Sequence, residues 1–507
     1  MSKTLYIGDN IITMASEQSV TAVLVENDKI IAVGNKQDLL SMCDSKTEKI
    51  ELKKRALLPA FIDSHSHFTG VAMSFIKANL ENCNSFNDIT DILLKFIEDN
   101  NIKKDQWVQG QGYDHNNLSE KVHPTKEVLD KSFGDYPVII AHQSGHMGVL
   151  NSAALKALNI QSDTGYFEEN EFLSLLNRTP IPTPLQLEKA YEKAQNLYAK
   201  NGITTVQEGM LNSQMAPLIM GCKSKFYLDV IGYIDIHDLK ALDIFKSFIG
   251  KYDTHFKVGG FKLFLDGSPQ GKTAWMLKDY LSQPGYKGYQ ALGDVQVLNA
   301  INTAKKHSMQ LITHCNGDAA CRQLLRCLEK SDYPACLRPV MIHAQFLSVE
   351  DMPWVKRLGV IPSFFIAHIL HWGDTHIKNF GLKRASLISP AASAQKFNIP
   401  FTFHQDSPVI KPDMLETMCC AVNRKTKSGV ILGEMQCISS YLAIKAITIN
   451  AAYQNFEQNI KGSIEPGKHA DFVILSDNPI TNINKLGNIK VDYTIKDGQV
   501  IYSRQGA

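Results

Sequence analysis

Eight short apolar runs, separated by segments of helical periodicity, limit the folds open to this chain. They are Leu57–Asp63, Ile203–Glu208, Tyr227–Ile234, Gly259–Asp266, Gln310–His314, Pro339–His343, Gly359–Phe365 and Pro400–Asp406. Runs of this length that stop at polar or turn residues read as strands. Helical patterns fit between most of them, as in Leu298–His307 and Ala319–Lys330. Strand alternating with helix asks for a parallel sheet, because parallel neighbours need a crossover. Eight such units predict an α/β fold of the (β/α)8 TIM barrel type. A doubly wound open sheet is the competitor, but no glycine-rich dinucleotide fingerprint follows the first run. The stretch between the first two runs is too long for a crossover. It predicts an inserted subdomain over about residues 70–200.

The two ends share another character. Leu5–Ile7, Thr21–Val25 and Ile30–Val33 near the start resemble Phe472–Leu475, Tyr493–Ile495 and Val500–Tyr502 near the finish, with turn signals at Glu465-Pro466-Gly467 and Asp497-Gly498. Two β-rich ends around a different middle predict one β-sandwich built from residues 1–57 and 460–507, flanking a barrel over 58–459.

Composition excludes several classes. Lys and Arg total 53 against 51 Asp and Glu, so no basic stripe invites nucleic acid and no acidic tail solvates the chain. The longest apolar runs, such as Pro137–Ala141, are too short to cross a bilayer. The first ten residues lack the apolar core and cleavage site of a signal peptide. The ten cysteines are scattered, with Cys419-Cys420 adjacent and no pair at Cys-X-X-Cys spacing, as expected of free thiols in a reducing cytoplasm. The expected partner is therefore a small-molecule substrate, with no nucleic acid and no membrane.

The chemistry lies at the strand ends. Alternate residues of a strand share a face, so His65 and His67 in Asp63-Ser64-His65-Ser66-His67 point together at the carboxyl end of the first run, where barrel active sites lie. Two imidazoles on one face suit zinc or a similar divalent ion. A lone His-X-His is weak, since strand-end histidines are common. The pattern gains weight from His314, His343 and Asp406, which end the fifth, sixth and eighth runs. Lys262 lies inside the fourth run, where a buried amine is costly unless paired or altered. A desolvated lysine is nucleophilic and can take up carbon dioxide as a carbamate that bridges two cations. The plainer reading pairs it with Asp266.

In that order, His65-X-His67, Lys262, His314, His343 and Asp406 resemble the amidohydrolase superfamily. Phe61–His67, Gly145–Ser152, Asp266-Gly267-Ser268, His314–Ala320 and Gly462–Asp471 look like its branch that includes N-substituted formamide deformylase and exoenzyme regulatory protein-like sequences. The resemblance runs from about residue 4 to residue 503 and implies a barrel flanked by a sandwich of both termini. It implies one or two divalent ions, zinc being the first choice, and leaves a homodimer open. His404, two before Asp406, departs from the small residue often found there. It is either a deeper barrel residue or a substrate contact.

Metal-activated hydroxide attacking a polarised carbonyl, with Asp406 as ligand and proton carrier, is the expected chemistry. The leading expectation is hydrolysis of a C–N bond in an amide, formamide or cyclic amide. Ring deamination is a second reading, weakened because Gly317 stands three after His314, where such barrels place a glutamate. A non-catalytic regulatory barrel is the third, although none of its expected ligands is lost. Weaker pocket candidates are His146, which the resemblance brings towards the barrel mouth, together with Gln111, Tyr113, Asp114, Glu208, His368, His371 and Asp374. Each has a plain alternative as an ordinary loop or strand-end contact.

Overall fold

The computed structural model describes residues 3–15, 20–144, 146–176 and 178–506. It divides into two compact units, Met1–Thr69 with Gln195–Ala507, and Gly70–Ala194.

The larger unit is organised by an eight-stranded parallel sheet. Its strands follow one another in chain order: Phe61–Ile62, Ile203–Leu211, Asp229–Asp235, Phe256–Phe264, Gln310–Cys315, Val340–His343, Ile361–Phe364 and Thr402–Phe403. They are almost wholly buried, which is why they read as continuous apolar runs rather than alternating ones. The sheet curls until its outer strands meet. Ser64 Oγ donates to the Phe403 carbonyl at 2.7 Å, the Asp406 N–H to His65 O at 3.0 Å, and the His67 N–H to Ser407 O at 2.7 Å. Ladder partners such as Phe264 with His314 and Cys315 with His343 bring neighbouring strand ends level.

The first expected strand is corrected. Leu57–Asp63 reads as one run, but the chain leaves one sheet for another at Ala60. Ala56–Pro59 pairs antiparallel with Phe472–Leu475, whereas Phe61–Ile62 pairs with Ile203–Leu211. The Ala60 N–H donates to Asp471 O at 2.9 Å and the Phe61 N–H to Gly202 O at 2.8 Å. Both segments are fully buried, so hydrophobic pattern cannot mark the break. The eighth run is corrected likewise: only Thr402–Phe403 is ladder, and His404–Asp406 run beyond it.

The chain termini form two four-stranded sheets. One orders Lys29–Gly34, Ala22–Glu26, Lys3–Ile7 and Glu48–Glu51; the other orders Gln499–Ser503, Val491–Lys496, Phe472–Leu475 and Ala56–Pro59. One apolar cluster draws on both, including Tyr6, Val23, Val25, Leu57, Phe472, Ile474 and Ile495.

The smaller unit carries a five-stranded mixed sheet. Its order is Tyr166–Glu168, Met147–Leu150, Val138–His142, Val108–Tyr113 and Ala78–Asn79, the last three parallel to one another. Helix Phe86–Asn100 begins at Ser85, whose hydroxyl accepts from the Asp88 N–H at 3.1 Å. Its Ile89 and Leu93 are buried in a cluster with Val108, Val138 and Ile140. Among the described residues, no helix is long and apolar enough to cross a membrane.

Candidate functional site

The carboxyl ends of the curled sheet deliver polar side chains to one rim. His65 and His67 follow the first strand, Lys262 lies near the end of the fourth, and His314 and His343 lie at the ends of the fifth and sixth. Asp406 stands just beyond the eighth. One donor atom each from His65, His343 and Asp406 falls within a 4.8 Å circle. Asp406 Oδ1 is 3.5 Å from His65 Nε2 and 3.4 Å from His67 Nε2, and its Oδ2 is 4.0 Å from His343 Nε2. Lys262 Nζ is 2.9 Å from His65 Nε2, and His343 Nε2 is 3.0 Å from His314 Nδ1.

Backbone conformation sharpens the convergence. His343, Ala344 and Asp406 sit in the left-handed region, at φ of 70°, 47° and 54°. Residues with side chains avoid this region unless the surroundings hold them there, and such strain gathers at functional sites. Gly209 marks a close approach. A Cβ there would lie 2.5 Å from His65 Cε1, so any side chain would displace the imidazole.

Burial sets the charge of the cluster. It holds His65 and His343 well below the usual imidazole range and lowers His314 to about 4. These rings are therefore neutral, the form that ligates metals. Burial also brings Lys262 down to about 7, against the pull of Asp406. Asp406 is lowered despite its burial, chiefly by His67, so the carboxylate is ionised. Its Oδ1 is buried, and the neighbouring imidazoles are too far or too poorly aligned to hydrogen-bond to it. The neutral rings of His65 and His343 beside an anionic oxygen that has no hydrogen bond among the described residues make a donor set suited to zinc or a similar ion.

Sequence reading gave little weight to several supports. The sequence offers Asp266 as an ion-pair partner for Lys262 and as part of the Asp266-Gly267-Ser268 motif. Instead it accepts from the backbone N–H groups of Trp275 at 3.0 Å, Asn316 at 2.9 Å and Gly317 at 2.7 Å. It thereby ties the loop after the fourth strand to the loop after His314. Asn316 Nδ2 lies 3.0 Å from His314 Nε2 and donates to Gly267 O at 2.8 Å. Asp63 accepts from the Gln405 N–H at 3.2 Å, and burial pushes its carboxyl up to about 8. Both aspartates stand beside motif residues, which was the available signal.

The weaker candidates divide. Glu208 Oε2 accepts from the Thr69 N–H at 2.7 Å, and Oε1 is 3.9 Å from His67 Nδ1, so it borders the cluster. His404 is fully buried within it, with Nε2 3.2 Å from His343 Nδ1 and Nδ1 2.8 Å from Ser363 Oγ. His368 pairs with His376 at 2.8 Å, and His371 with Glu416 at 2.8 Å. Asp374 accepts from the Ser428 N–H at 3.1 Å, a loop contact. In the smaller unit Tyr113 is fully buried, with its hydroxyl 3.0 Å from His123 Nδ1, so it is a core residue there. Gln111 gives its carbonyl to the Leu80 N–H at 2.8 Å. His146 is exposed and 3.4 Å from Glu169; its neighbour Gly145 lies outside the described residues.

Comparison with known proteins gives a consistent result. YtcJ of Bacillus subtilis, named as an amidohydrolase, is 25% identical over 539 aligned positions, covering 99% of this chain and all of YtcJ. The N-substituted formamide deformylase of Arthrobacter pascens is 24% identical, covering 100% of this chain and 99% of its own. The solved structure of an uncharacterized metal-dependent hydrolase from Pyrococcus furiosus superposes with a TM-score of 0.79 at 22% identity, covering 94% of this chain and 100% of that one. The profile described as the amidohydrolase family matches residues 48–502, and the chain belongs to that family.

Proposed function

We propose that the chain is a metal-dependent hydrolase that cleaves a carbon–nitrogen bond in a small amide, formamide or cyclic amide. The observation that carries this reading is one rim on which neutral His65, His314 and His343 and ionised Asp406 converge. His65, His67, His314, His343 and Asp406 would hold one or two divalent ions, zinc first. A divalent ion held there would supply Lewis-acid chemistry, polarising a carbonyl oxygen and lowering the pKa of water. Asp406 is anionic and stands among the imidazoles, so it can take a proton from water on a carboxylate oxygen and hand it to the leaving nitrogen. His404, itself held by Ser363, meets the far side of the His343 ring at Nδ1 and orients it.

Lys262 is the candidate bridge. With its pKa near 7 a large share of the amine is neutral and can attack carbon dioxide. The nitrogen forms a bond to the carbon, a proton leaves, and a carbamate with two oxygens results. Around this site the curled sheet and the two terminal sheets would complete a (β/α)8 barrel with a sandwich of both termini. The named activity of the formamide deformylase relative supports the substrate class. Ring deamination fits poorly. A Cβ on Gly317 would lie 1.9 Å from Trp275 O, so a glutamate has no room in that place.

The test is metal analysis joined to a screen of N-substituted formamides, simple amides and cyclic amides. Metal-replete protein is expected to hydrolyse at least one class, and to lose that activity on chelation and regain it with zinc. Turnover that survives complete chelation, or a metal-replete protein inert towards all three classes, would refute the reading.

A further inference from the structure

We propose that the Gly70–Ala194 unit carries a divalent-metal site of its own, held by Asp114, His115 and His142 where two parallel strands end together. Strands Val108–Tyr113 and Val138–His142 are ladder neighbours, with Tyr113 opposite His142. Their register slips between Gln111 and Tyr113. The intervening Gly112 has φ 97°, and a Cβ there would lie 2.7 Å from Glu81 Cγ. Such a bulge re-aims the residues that follow it. Here those residues are Asp114 and His115, and the neighbouring strand ends on His142.

The spacing matches a coordination shell. One donor from each of the three residues lies within 4.8 Å of the others. His142 Nε2 is 3.4 Å from Asp114 Oδ1, and His115 Nδ1 is 3.8 Å from the same oxygen. Ligand bonds of about 2.0–2.1 Å in tetrahedral geometry put neighbouring donors roughly 3.3 Å apart. The two separations to Asp114 Oδ1 need only a slight contraction, and the two ring nitrogens lie within 4.8 Å of each other. Two nitrogens and one carboxylate oxygen favour zinc or a similar transition ion over calcium or magnesium, and three protein ligands leave a fourth position for water.

The surrounding contacts orient the donors. Asp114 Oδ1 accepts from the Asn116 N–H at 2.9 Å and from Asn116 Nδ2 at 3.0 Å, and Oδ2 accepts from Gln143 Nε2 at 2.7 Å. His142 Nδ1 is 3.0 Å from Ser144 Oγ and 3.1 Å from the Ser144 N–H. As the ring stands, the Ser144 N–H donates to Nδ1 and the ring proton sits on Nε2, facing Asp114 Oδ1 at 3.4 Å; a cation at Nε2 would displace that proton to Nδ1, towards Ser144 Oγ. A loop-capping aspartate accounts for the Asn116 bonds. It does not account for the second imidazole, His115, drawn to the oxygen that His142 already reaches by a hydrogen bond. Nor does it explain why His115 Nδ1 is buried without a hydrogen bond among the described residues. The third imidazole, His123, packs beside His115 with ring centroids 4.0 Å apart.

The test uses the full chain stripped of metal and equilibrated with Co²⁺. Bound cobalt is counted by emission spectrometry and its geometry read from visible absorption. His65→Ala with His343→Ala first disables the barrel rim. That protein is expected to keep about one equivalent of cobalt with ligand-field bands. Adding His115→Asn and His142→Gln should remove both the bands and the metal, with circular dichroism unchanged. If the combined variant does not fold, Asp114→Asn on the same rim-disabled background is read instead, and should weaken cobalt binding by more than about tenfold. The proposal is overturned if the rim-disabled protein binds no cobalt, or if its cobalt is indifferent to these substitutions. Failure of the rim reading looks different: His65→Ala with His343→Ala would then leave the metal content of the whole protein unchanged.

Discussion

The two ends of the curled sheet bury the same kinds of side chain and treat them oppositely. At the amino ends of the strands, Lys257, Lys461 and Lys496 meet Asp229, Glu457 and Asp471. Lys257 pairs with Glu457 at 2.6 Å, Lys461 pairs with Asp229 and lies 3.4 Å from Glu457, and Lys496 lies 3.2 Å from Asp229 and 3.3 Å from Asp471. Asp229 is held well below the usual carboxylate range by Lys461 and Lys496 in spite of burial, while those two lysines are raised by their carboxylates. At the carboxyl ends Lys262 is just as buried, yet it is lowered to about 7. Its nearest polar neighbour is an imidazole, and the carboxylate beside it, Asp406, is shared with several rings. Burial is common to both rims. What separates them is whether each charge has an opposite charge of its own. The amino rim is closed on itself and structural; the carboxyl rim is short of charge and able to take a cation.

The largest expected effect breaks the carboxyl rim in function while sparing its fold. His343→Ala should lose most bound metal and nearly all hydrolysis, with a cooperative melt retained, because a site short of a strong ligand binds poorly. Full metal occupancy measured by plasma emission would remove His343 from the ligand set.

The amino rim should respond in the opposite sense, in stability. Asp229→Ala leaves Lys461 and Lys496 buried with fewer partners, and breaking a buried pair costs about 3–5 kcal/mol. Urea unfolding should show a loss of this size. A shift under about 1 kcal/mol would mean the network is solvated and the contrast between rims is false.

Asp406→Asn is expected to keep the fold and much of the metal, since the amide still offers an oxygen. A carboxamide cannot accept the proton, so kcat should fall by about 10²–10⁴. Near-normal kcat in metal-replete protein would move proton transfer to another group, His404 or His368 being next to test.

The smallest effect is in pH dependence. Asp229 is depressed in the folded state, so its contribution is present above the unfolded carboxylate value of about 3.9 and is lost as pH falls towards the lower folded value. Lys461 and Lys496 are raised, so theirs is present below the unfolded value of about 10.4 and is lost only above it. Stability should therefore be flat between these limits as far as this rim is concerned. Asp229→Asn should lessen the acid-side slope. An unchanged slope would assign acid sensitivity elsewhere.

What sequence discloses follows the same division. The rim donors were legible because a strand displays its residues with period two and stops where its apolar run stops, so His65, His314 and His343 announce themselves. The pairing of Lys461 with Asp229 was not, since charges far apart in the chain carry no mark of their partner. The switch of sheets at Ala60 was hidden for the reason that made the run conspicuous: Leu57, Leu58, Phe61 and Ile62 are all fully apolar. The Asp114, His115 and His142 cluster was partly in view, with Asp114 alone read as a weak pocket candidate or an ordinary loop residue. The bulge at Gly112 that brings it together needs the ladder to be seen.

The sheet switch at Ala60 also has a temporal side. Ala56–Pro59 meets early chain at Ile11 through Leu57, but its ladder partner is Phe472–Leu475, and the side of Phe61–Ile62 away from Ile203–Leu211 is met by late chain, the Ile62 N–H donating to Ile447 O at 2.8 Å. On a ribosome, which delivers the chain from the amino end, both segments emerge early and wait for nearly the whole of synthesis. During that interval two apolar strands stand with open edges, the state most prone to pairing with the wrong chain. A chain released before Phe472 should consequently be captured by chaperones or aggregate, even though every residue of the rim has already been made.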